Sequence, residues 1–157
     1  MLPTDFDLDR VLKHLDVLVV EIGPRPSPSA AESEASAYIN AQLREAGWTP
    51  QSVDRPTNQV ACRGTGRRVF LAHIDTVEGS PGAVDNAAAV AILLELARTS
   101  PVQDLCLAFP DAEERGLKGS LHMARDVASW HPQPEALDLV VSSELLGQGR
   151  TAVLGLN

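Results

Sequence analysis

The run "DLCLAFP", Asp104 to Pro110, constrains the fold of this 157-residue chain most. Its residues 105–109 are all apolar, without the alternation of a strand that has one solvated face. Such a run is typical of a strand covered by helices on both faces of a sheet. Helical periodicity alternates with other short apolar strands, so the sequence predicts a three-layer α/β/α sandwich around a mixed, mostly parallel sheet. Residues 1–157 are interpreted as a single domain.

The remaining elements follow from periodicity and from turn residues. Helices are predicted over 8–21, over 30–47 after the capping-box pair Ser29 and Glu32, over 86–99 and over 119–128. Strands are predicted over 48–53, 58–63, 67–75 and 137–141, and a further strand begins within "RTAVLGLN" at 150–157. The turn "GTG" separates "NQVACR" from "RRVFLAHID", which predicts that these two strands form an antiparallel hairpin.

Composition and charge exclude some classes of function. The net charge of −8 argues against a nucleic-acid partner, because phosphate binding needs clustered Lys and Arg. The chain shows no secretory signal pattern and no apolar run that spans a membrane, which predicts a cytoplasmic protein. Cys62 and Cys106 lie in separate apolar runs outside any C-x-x-C motif, which predicts buried free thiols.

Acidic residues follow the ends of the predicted strands. His73 and Asp75 end one strand, Glu113 and Glu114 follow the next, Glu144 follows another, and Asp85 begins a buried helix. In open α/β sheets, ligands bind beyond the carboxyl ends of the strands, so these side chains are expected to converge. One histidine among several carboxylates suits a divalent ion such as zinc.

Residue chemistry suggests roles within such a site. His73 and Asp75 point to the same face of their strand, so Asp75 can orient a metal-bound His73. One of the adjacent Glu113 and Glu114 can bind metal while the other acts as general base, and Asp85 can bridge two ions. Each residue alone also has an ordinary structural explanation, such as a helix N-cap for Asp85. Their order along the chain favours the metal site.

The chain resembles the di-zinc aminopeptidase family that also includes glutaminyl cyclases. The resemblance covers Ile22 to Gly147 and is carried by "IGPRPSPSAAESEASAYINAQLREAGW", "NQVACR", "LAHIDTV", "SPGAVDNAAAVAILLELA", "DAEERGLKGS" and "VVSSELLG". It implies a zinc-dependent exopeptidase that hydrolyses N-terminal peptide bonds through metal-activated water. The expected substrate is a peptide or aminoacyl amide.

The resemblance also implies residue roles. His73 and Glu144 would bind one zinc, Glu114 the other, and Asp85 both. Glu113 would be the general base, and Asp75 would complete the catalytic set by supporting His73. The family further implies a cis peptide bond between Asp85 and Asn86.

Two departures from the family pattern are visible. Glu144 stands where the family usually has Asp. A final His ligand near the C-terminus is not found, because His14, His122 and His131 do not occupy its place. One or two zinc ions are therefore expected. The chain is interpreted as C-terminally incomplete relative to the family. The sheet edge exposed in this way is compatible with a homo-oligomer.

Two alternatives remain. One is a catalytically impaired or non-catalytic relative that uses the fold for binding. The other is a related di-zinc carboxypeptidase or deacylase, in which a Glu at the position of Glu144 is familiar. The sequence does not indicate the preferred substrate side chain.

Overall fold

The computed structural model describes residues 5–53 and 57–146. Its strands are β1 (Gln51–Val53), β2 (Asn58–Arg63), β3 (Arg68–Leu71), β4 (Leu105–Phe109) and β5 (Leu139–Ser142). Its α-helices are α1 (Leu8–Asp16), α2 (Ala30–Glu45), α3 (Ala88–Thr99) and α4 (Lys118–Arg125). A π-helical segment occupies Val17–Ile22, an irregular turn occupies Ala83–Ala87, and 3₁₀ turns occupy Val127–Ser129 and Pro134–Ala136. The strand predicted over 150–157 lies outside the described residues.

The strands form one mixed sheet in the order β1-β2-β4-β3-β5, which confirms the predicted α/β class. β4 pairs antiparallel with β2 and parallel with β3, and β5 extends the parallel part beside β3. All five residues of β4 are buried, as its unbroken apolar run predicts. The parallel strands β4, β3 and β5 therefore bring their carboxyl ends to one edge of the sheet.

The predicted hairpin between "NQVACR" and "RRVFLAHID" is wrong. β4 lies between β2 and β3, so those two strands do not pair. The turn at 64–66 instead crosses the beginning of β4, where the backbone N–H and hydroxyl of Thr65 both donate to Asp104 Oδ1 at 2.9 Å. Gly64, with φ +60°, lies so close to Asp104 that a Cβ there would stand 2.3 Å from the same Oδ1. Glycine permits this close crossing.

The predicted free thiols are also wrong, because Cys62 and Cys106 form a disulfide. The antiparallel register of β2 and β4 places the two residues directly opposite each other. They are 44 residues apart in sequence, and the pairing follows from strand order, which local motifs do not reveal. Disulfides are typical of oxidising compartments, so the cytoplasmic location stays a prediction without support from this pair.

Two hydrophobic cores cover the two faces of the sheet. Leu107 and Phe109 of β4 pack with α2 and α3, whereas Cys106 and Ala108 face Met123 and Trp130. This division follows the two-residue period of a strand. Each fully buried Leu or Phe side chain contributes about 1.5–3 kcal/mol relative to its exposed state. The three layers of the sandwich are thus helix, sheet and helix.

The predicted first helix divides into two parts. The α-helix ends at Asp16, a π-helical segment follows, and Gly23 with φ +79° ends it. The predicted cap of α2 is confirmed, since Ser29 Oγ accepts the N–H of Glu32 at 3.0 Å. Across residues 5–53 and 57–146, none of the helices combines the length and the hydropathy needed to cross a bilayer.

Glu95 of α3 generates a prediction about stability. Its side chain is fully buried and accepts hydrogen bonds from Arg98 and from the N–H of Asp7, which precedes α1. Burial raises the pKa of Glu95, but these donors outweigh burial and hold the pKa below its ordinary value of 4.5. We expect Glu95→Gln to lower the free energy of unfolding at pH 7 by about 1–3 kcal/mol, because the buried network loses its negative charge and one of its two acceptor oxygens.

The loss of stability in Glu95→Gln should depend on pH. A carboxyl with a depressed pKa in the folded state stabilises the protein above the unfolded pKa and loses that contribution as pH falls through the folded value. The difference between wild type and Glu95→Gln should therefore narrow below about pH 4.5. Urea denaturation at several pH values measures it, with the exposed Glu34→Gln as a control that changes stability by less than about 0.5 kcal/mol. An equal effect of both substitutions would contradict the prediction.

Candidate metal centre

His73 is held at the carboxyl end of the sheet by an extended segment that continues β3. The N–H of Ala72 donates to Ala108 O at 3.1 Å, and the N–H of Ile74 donates to Pro110 O at 2.9 Å. These bonds keep the segment beside the end of β4. The imidazole of His73 is 2% exposed, so its surroundings decide its charge and its partners.

The Nε2 atom of His73 faces three carboxylates. It lies 3.0 Å from Asp85 Oδ1, 3.3 Å from Glu144 Oε2 and 4.0 Å from Glu113 Oε2. His73, Asp85 and Glu144 each offer one atom to a group in which all three atoms lie within 4.8 Å of one another. His73, Glu113 and Glu144, which follow β3, β4 and β5, therefore lie close together. Parallel pairing of these strands explains why they meet.

Asp85 does not cap a helix. Its backbone is non-helical, with φ −120° and ψ 88°, and its carboxylate faces His73. The peptide bond between Asp85 and Asn86 is cis, as the family resemblance implied. The N-cap explanation for Asp85 is therefore not the arrangement found in the structure.

Glu144 is positioned by two neighbours. The hydroxyl of Ser142 donates to its Oε1 at 2.9 Å, and the amide of Asn86 donates to its Oε2 at 3.1 Å. The same amide nitrogen donates to Ser143 O at 2.7 Å. Asn86 thus ties the segment after β5 to the turn that carries Asp85, and it brings the Glu144 carboxylate to His73.

Asp75 is fully buried and connects the segment that carries His73 with the segment that carries Glu113 and Glu114. Its Oδ1 and Oδ2 accept the backbone N–H groups of Glu113 and Glu114 at 2.9 and 3.1 Å. The Nδ1 atom of His73 lies 3.0 Å from the backbone oxygen of Asp75 and 3.5 Å from its Oδ1. Asp75 therefore positions both the histidine and the glutamate pair. Its burial keeps it away from any substrate.

The adjacent glutamates occupy different places. Glu113 lies near His73 Nε2 with its side chain 30% exposed, whereas Glu114 does not belong to the three-residue group found among the described residues. Burial raises the pKa of Glu113, the charge of His73 opposes this rise, and Glu114 and Glu144 add to it. Burial also raises the pKa of Glu114, and the nearby charge of Asp85 adds to that effect.

The charge balance of the site calls for a cation. Burial lowers the pKa of His73, but hydrogen bonds and charges from Asp75 and Glu144 outweigh burial and raise the pKa to about 11. Several carboxylates around one imidazole thus hold a proton on that imidazole. A divalent ion can supply the same positive charge.

The donor set fits zinc. Zinc in proteins takes imidazole nitrogen and carboxylate oxygen as ligands, with bonds of about 2.0–2.2 Å. In a tetrahedral arrangement, ligand atoms then lie roughly 3.3 Å from one another. The separations of 3.0 and 3.3 Å from His73 Nε2 to Asp85 and Glu144 match this spacing. These three residues thus offer one nitrogen and two oxygens, all within 4.8 Å of one another, to a zinc ion.

The other histidines have other partners. His14 Nδ1 lies 2.6 Å from the hydroxyl of Tyr38, and His131 Nε2 lies 2.8 Å from Gly66 O. His122 is exposed on α4. None of them joins the three-residue group within the described ranges.

Sequence reasoning missed several residues that shape the site. Asn86 and Ser142 hold Glu144, and the buried Arg25 binds the segment that carries His73. Asn86 adjoins a predicted ligand, which is a usable signal for a supporting residue. Arg25 lies 48 residues before His73, and only its setting in "GPRP" marks it as a charged residue at a fixed turn.

The model of peptidase family M28 matches residues 59–155, more than half of the chain. This range includes every residue of the cluster. A comparison with curated protein sequences finds no significant match.

Solved structures share the fold. A glutaminyl cyclase of Porphyromonas gingivalis is 23% identical with a TM-score of 0.73, covering 90% of this chain and 60% of its own. A protein of Bacteroides vulgatus, described as a candidate Zn-dependent exopeptidase, is 22% identical with a TM-score of 0.69, covering 90% and 62%. A leucine aminopeptidase precursor of Bacteroides thetaiotaomicron is 23% identical with a TM-score of 0.56, covering 69% and 48%. The chain thus spans less than two thirds of the length of each of these structures.

The cluster generates a prediction about metal affinity. We expect His73→Ala to weaken zinc binding by at least about 100-fold, because the only nitrogen donor of the group is lost. Competition with a chromophoric chelator at pH 7.5 measures the dissociation constant. The control is His122→Ala, which removes an exposed histidine and should bind zinc like wild type. Equal weakening in both variants would contradict the assignment.

Proposed function

Because this chain belongs to peptidase family M28, we propose that it is a zinc-dependent exopeptidase of the aminopeptidase type. The observation that carries the proposal is the convergence of His73, Asp85 and Glu144 within 4.8 Å, with Glu113 beside them. The resemblance to the di-zinc aminopeptidases supports the same choice. The substrate is proposed to be a peptide or aminoacyl amide with a free amino terminus.

The proposed metal ligands are His73, Asp85, Glu144 and Glu114. Zinc, when bound there, supplies a Lewis acid and lowers the pKa of a coordinated water to near 7. Asp85 and Glu144 neutralise the added charge, and Asn86 fixes the orientation of Glu144. Whether one or two ions bind depends on Glu114, which lies apart from the three-residue group.

Glu113 is the proposed general base. Its carboxylate lies 4.0 Å from His73 Nε2, farther than the two nearest carboxylates, and so stays free to take a proton from the attacking water. Burial raises its pKa, which favours proton uptake near neutral pH. The same carboxyl can then hand the proton to the leaving amine. Asp75 supports this role because it holds the backbone N–H of Glu113.

Two other functions make different predictions. A non-catalytic relative would bind zinc without turnover. A carboxypeptidase or deacylase would prefer N-acylated amino acids to free amino termini. Because a glutaminyl cyclase shares the fold, the substrates tested should include peptides with an N-terminal glutamine, with release of ammonia as the measured signal. No nucleic-acid or membrane partner is proposed, and a homo-oligomer stays a proposal.

The test is hydrolysis by the zinc-loaded 157-residue protein and its Glu113→Gln variant. We expect wild type to release amino-terminal residues from aminoacyl anilides and peptides. Glu113→Gln should lose about 10²–10⁴-fold in kcat, because proton transfer is removed while the site keeps its shape. Its zinc affinity should change little, since Glu113 is not among the proposed ligands.

The matched control is Glu135→Gln, an exposed acid in the turn before β5. It should keep wild-type kcat and zinc content. Zinc uptake by wild type without turnover on any substrate would overturn the exopeptidase proposal and support the non-catalytic alternative. Faster turnover of N-acetylated amino acids than of free amino termini would support the deacylase alternative.

A further inference from the structure

Arg25 is a buried charged residue outside the proposed ligand set. It is 1% exposed and lies in the short segment between the π-helical turn after α1 and the beginning of α2. Among residues 5–53 and 57–146, the acceptors of its guanidinium are all backbone carbonyls. Nε reaches Ile74 O at 3.1 Å, and Nη1 reaches Leu18 O, Gly23 O and Pro81 O at 2.6, 2.7 and 3.0 Å.

These carbonyls belong to three separate parts of the chain. Ile74 lies between His73 and Asp75, and Pro81 lies four residues before Asp85. Leu18 and Gly23 belong to the end of the first helical region. One planar guanidinium therefore connects the segment that carries His73 with the loop that leads to Asp85, and it anchors both to a helix.

The backbone of Arg25 adds two further bonds to the His73 segment. Its N–H donates to Thr76 Oγ1 at 2.9 Å, and its carbonyl accepts the N–H of Thr76 at 3.2 Å. Gly82 then brings the loop very close, since a Cβ there would stand 2.3 Å from Thr76 Cγ2 and 3.3 Å from Arg25 Nη2. The distance between His73 and Asp85 thus depends on contacts that meet at Arg25.

The positive charge of Arg25 is compatible with its buried position. Burial lowers the pKa of Arg25 to about 10, and the negative charge of Asp75 opposes that effect. A buried cation is tolerated when hydrogen bonds offset its burial, and here Nε and Nη1 donate to four backbone carbonyls. A lysine would keep the charge but has a single nitrogen, whereas Arg25 uses Nε for Ile74 O and Nη1 for the other three carbonyls.

We propose that Arg25 is a positioning residue that sets the separation of His73 and Asp85 and thereby the metal affinity of the site. It acts through the carbonyls of Ile74 and Pro81 and through its backbone bonds to Thr76, and it does not touch metal or substrate. The inference rests on the proposed function only in assuming that this site takes a divalent ion.

The test compares Arg25→Lys with wild type in metal titrations. We expect the dissociation constant for zinc to rise about 10–100-fold, as for other residues that orient metal ligands. The visible absorption of the Co²⁺-substituted protein should shift in position or intensity, because the ligand geometry changes. Urea denaturation shows whether the variant is folded. In folded protein, a loss of stability alone would change neither the zinc dissociation constant nor the Co²⁺ spectrum.

The matched control is Arg63→Lys. Arg63 is the last residue of β2 and lies away from the cluster. It also donates to a backbone carbonyl, Ala46 O at 2.9 Å, and its guanidinium packs 3.9 Å from the ring centre of Trp48. This variant should keep the zinc affinity and Co²⁺ spectrum of wild type. Folded Arg25→Lys with both properties unchanged would overturn the proposal.

A second pair of variants decides the matter if Arg25→Lys does not fold. Thr76→Val removes the acceptor for the N–H of Arg25 at nearly constant volume, whereas Thr76→Ser keeps it. We expect Thr76→Val to bind zinc more weakly than Thr76→Ser, and equal affinities would overturn the proposal. Failure of wild type to bind zinc or Co²⁺ would instead overturn the proposed function, so the two failures are distinguishable.

Discussion

The buried carboxylate of Asp75 is the interaction on which the site depends. It binds the backbone N–H groups of Glu113 and Glu114 while its own segment holds His73. A buried carboxylate is costly unless hydrogen bonds satisfy it, so this group favours one arrangement of the two segments strongly. Burial raises the pKa of Asp75, but His73 and the two N–H groups outweigh burial and lower it. Asp75 therefore keeps its negative charge at neutral pH, and with it the hydrogen bonds from Glu113 and Glu114.

Strand order explains why Asp75 can serve both sides. β3 lies between β4 and β5, and all three run in parallel. Their carboxyl ends deliver His73, Glu113 and Glu144 to one edge, where α/β sheets bind ligands. Had β2 paired with β3 as the local turn predicts, the segment that follows β4 would not adjoin His73. The central position of β4 is thus a requirement of the site as well as of the core.

The sequence predicts the class of fold because its strongest signals are local. The unbroken apolar run of β4 and the Ser29 cap of α2 are confirmed, and the residues 73, 85 and 144 do meet. Strand order and the disulfide between Cys62 and Cys106 escape prediction because each depends on pairing between distant segments. Arg25 escapes for the same reason, since its partners are carbonyls spread from residue 18 to residue 81. Backbone acceptors leave no pattern in side chains.

The site concentrates negative charge that the rest of the fold must offset. His73 is the only imidazole in the described cluster, and its ring nitrogens lie within 4.0 Å of the carboxylates of Asp75, Asp85, Glu113 and Glu144. If His73 held a zinc ion, its ring would have to be neutral, and the ion would supply the positive charge that the proton otherwise gives. A rigid frame keeps these carboxylates together, because their like charges repel one another. Asp75 and Arg25 supply that frame through backbone groups, which no exposed side chain could hold as firmly.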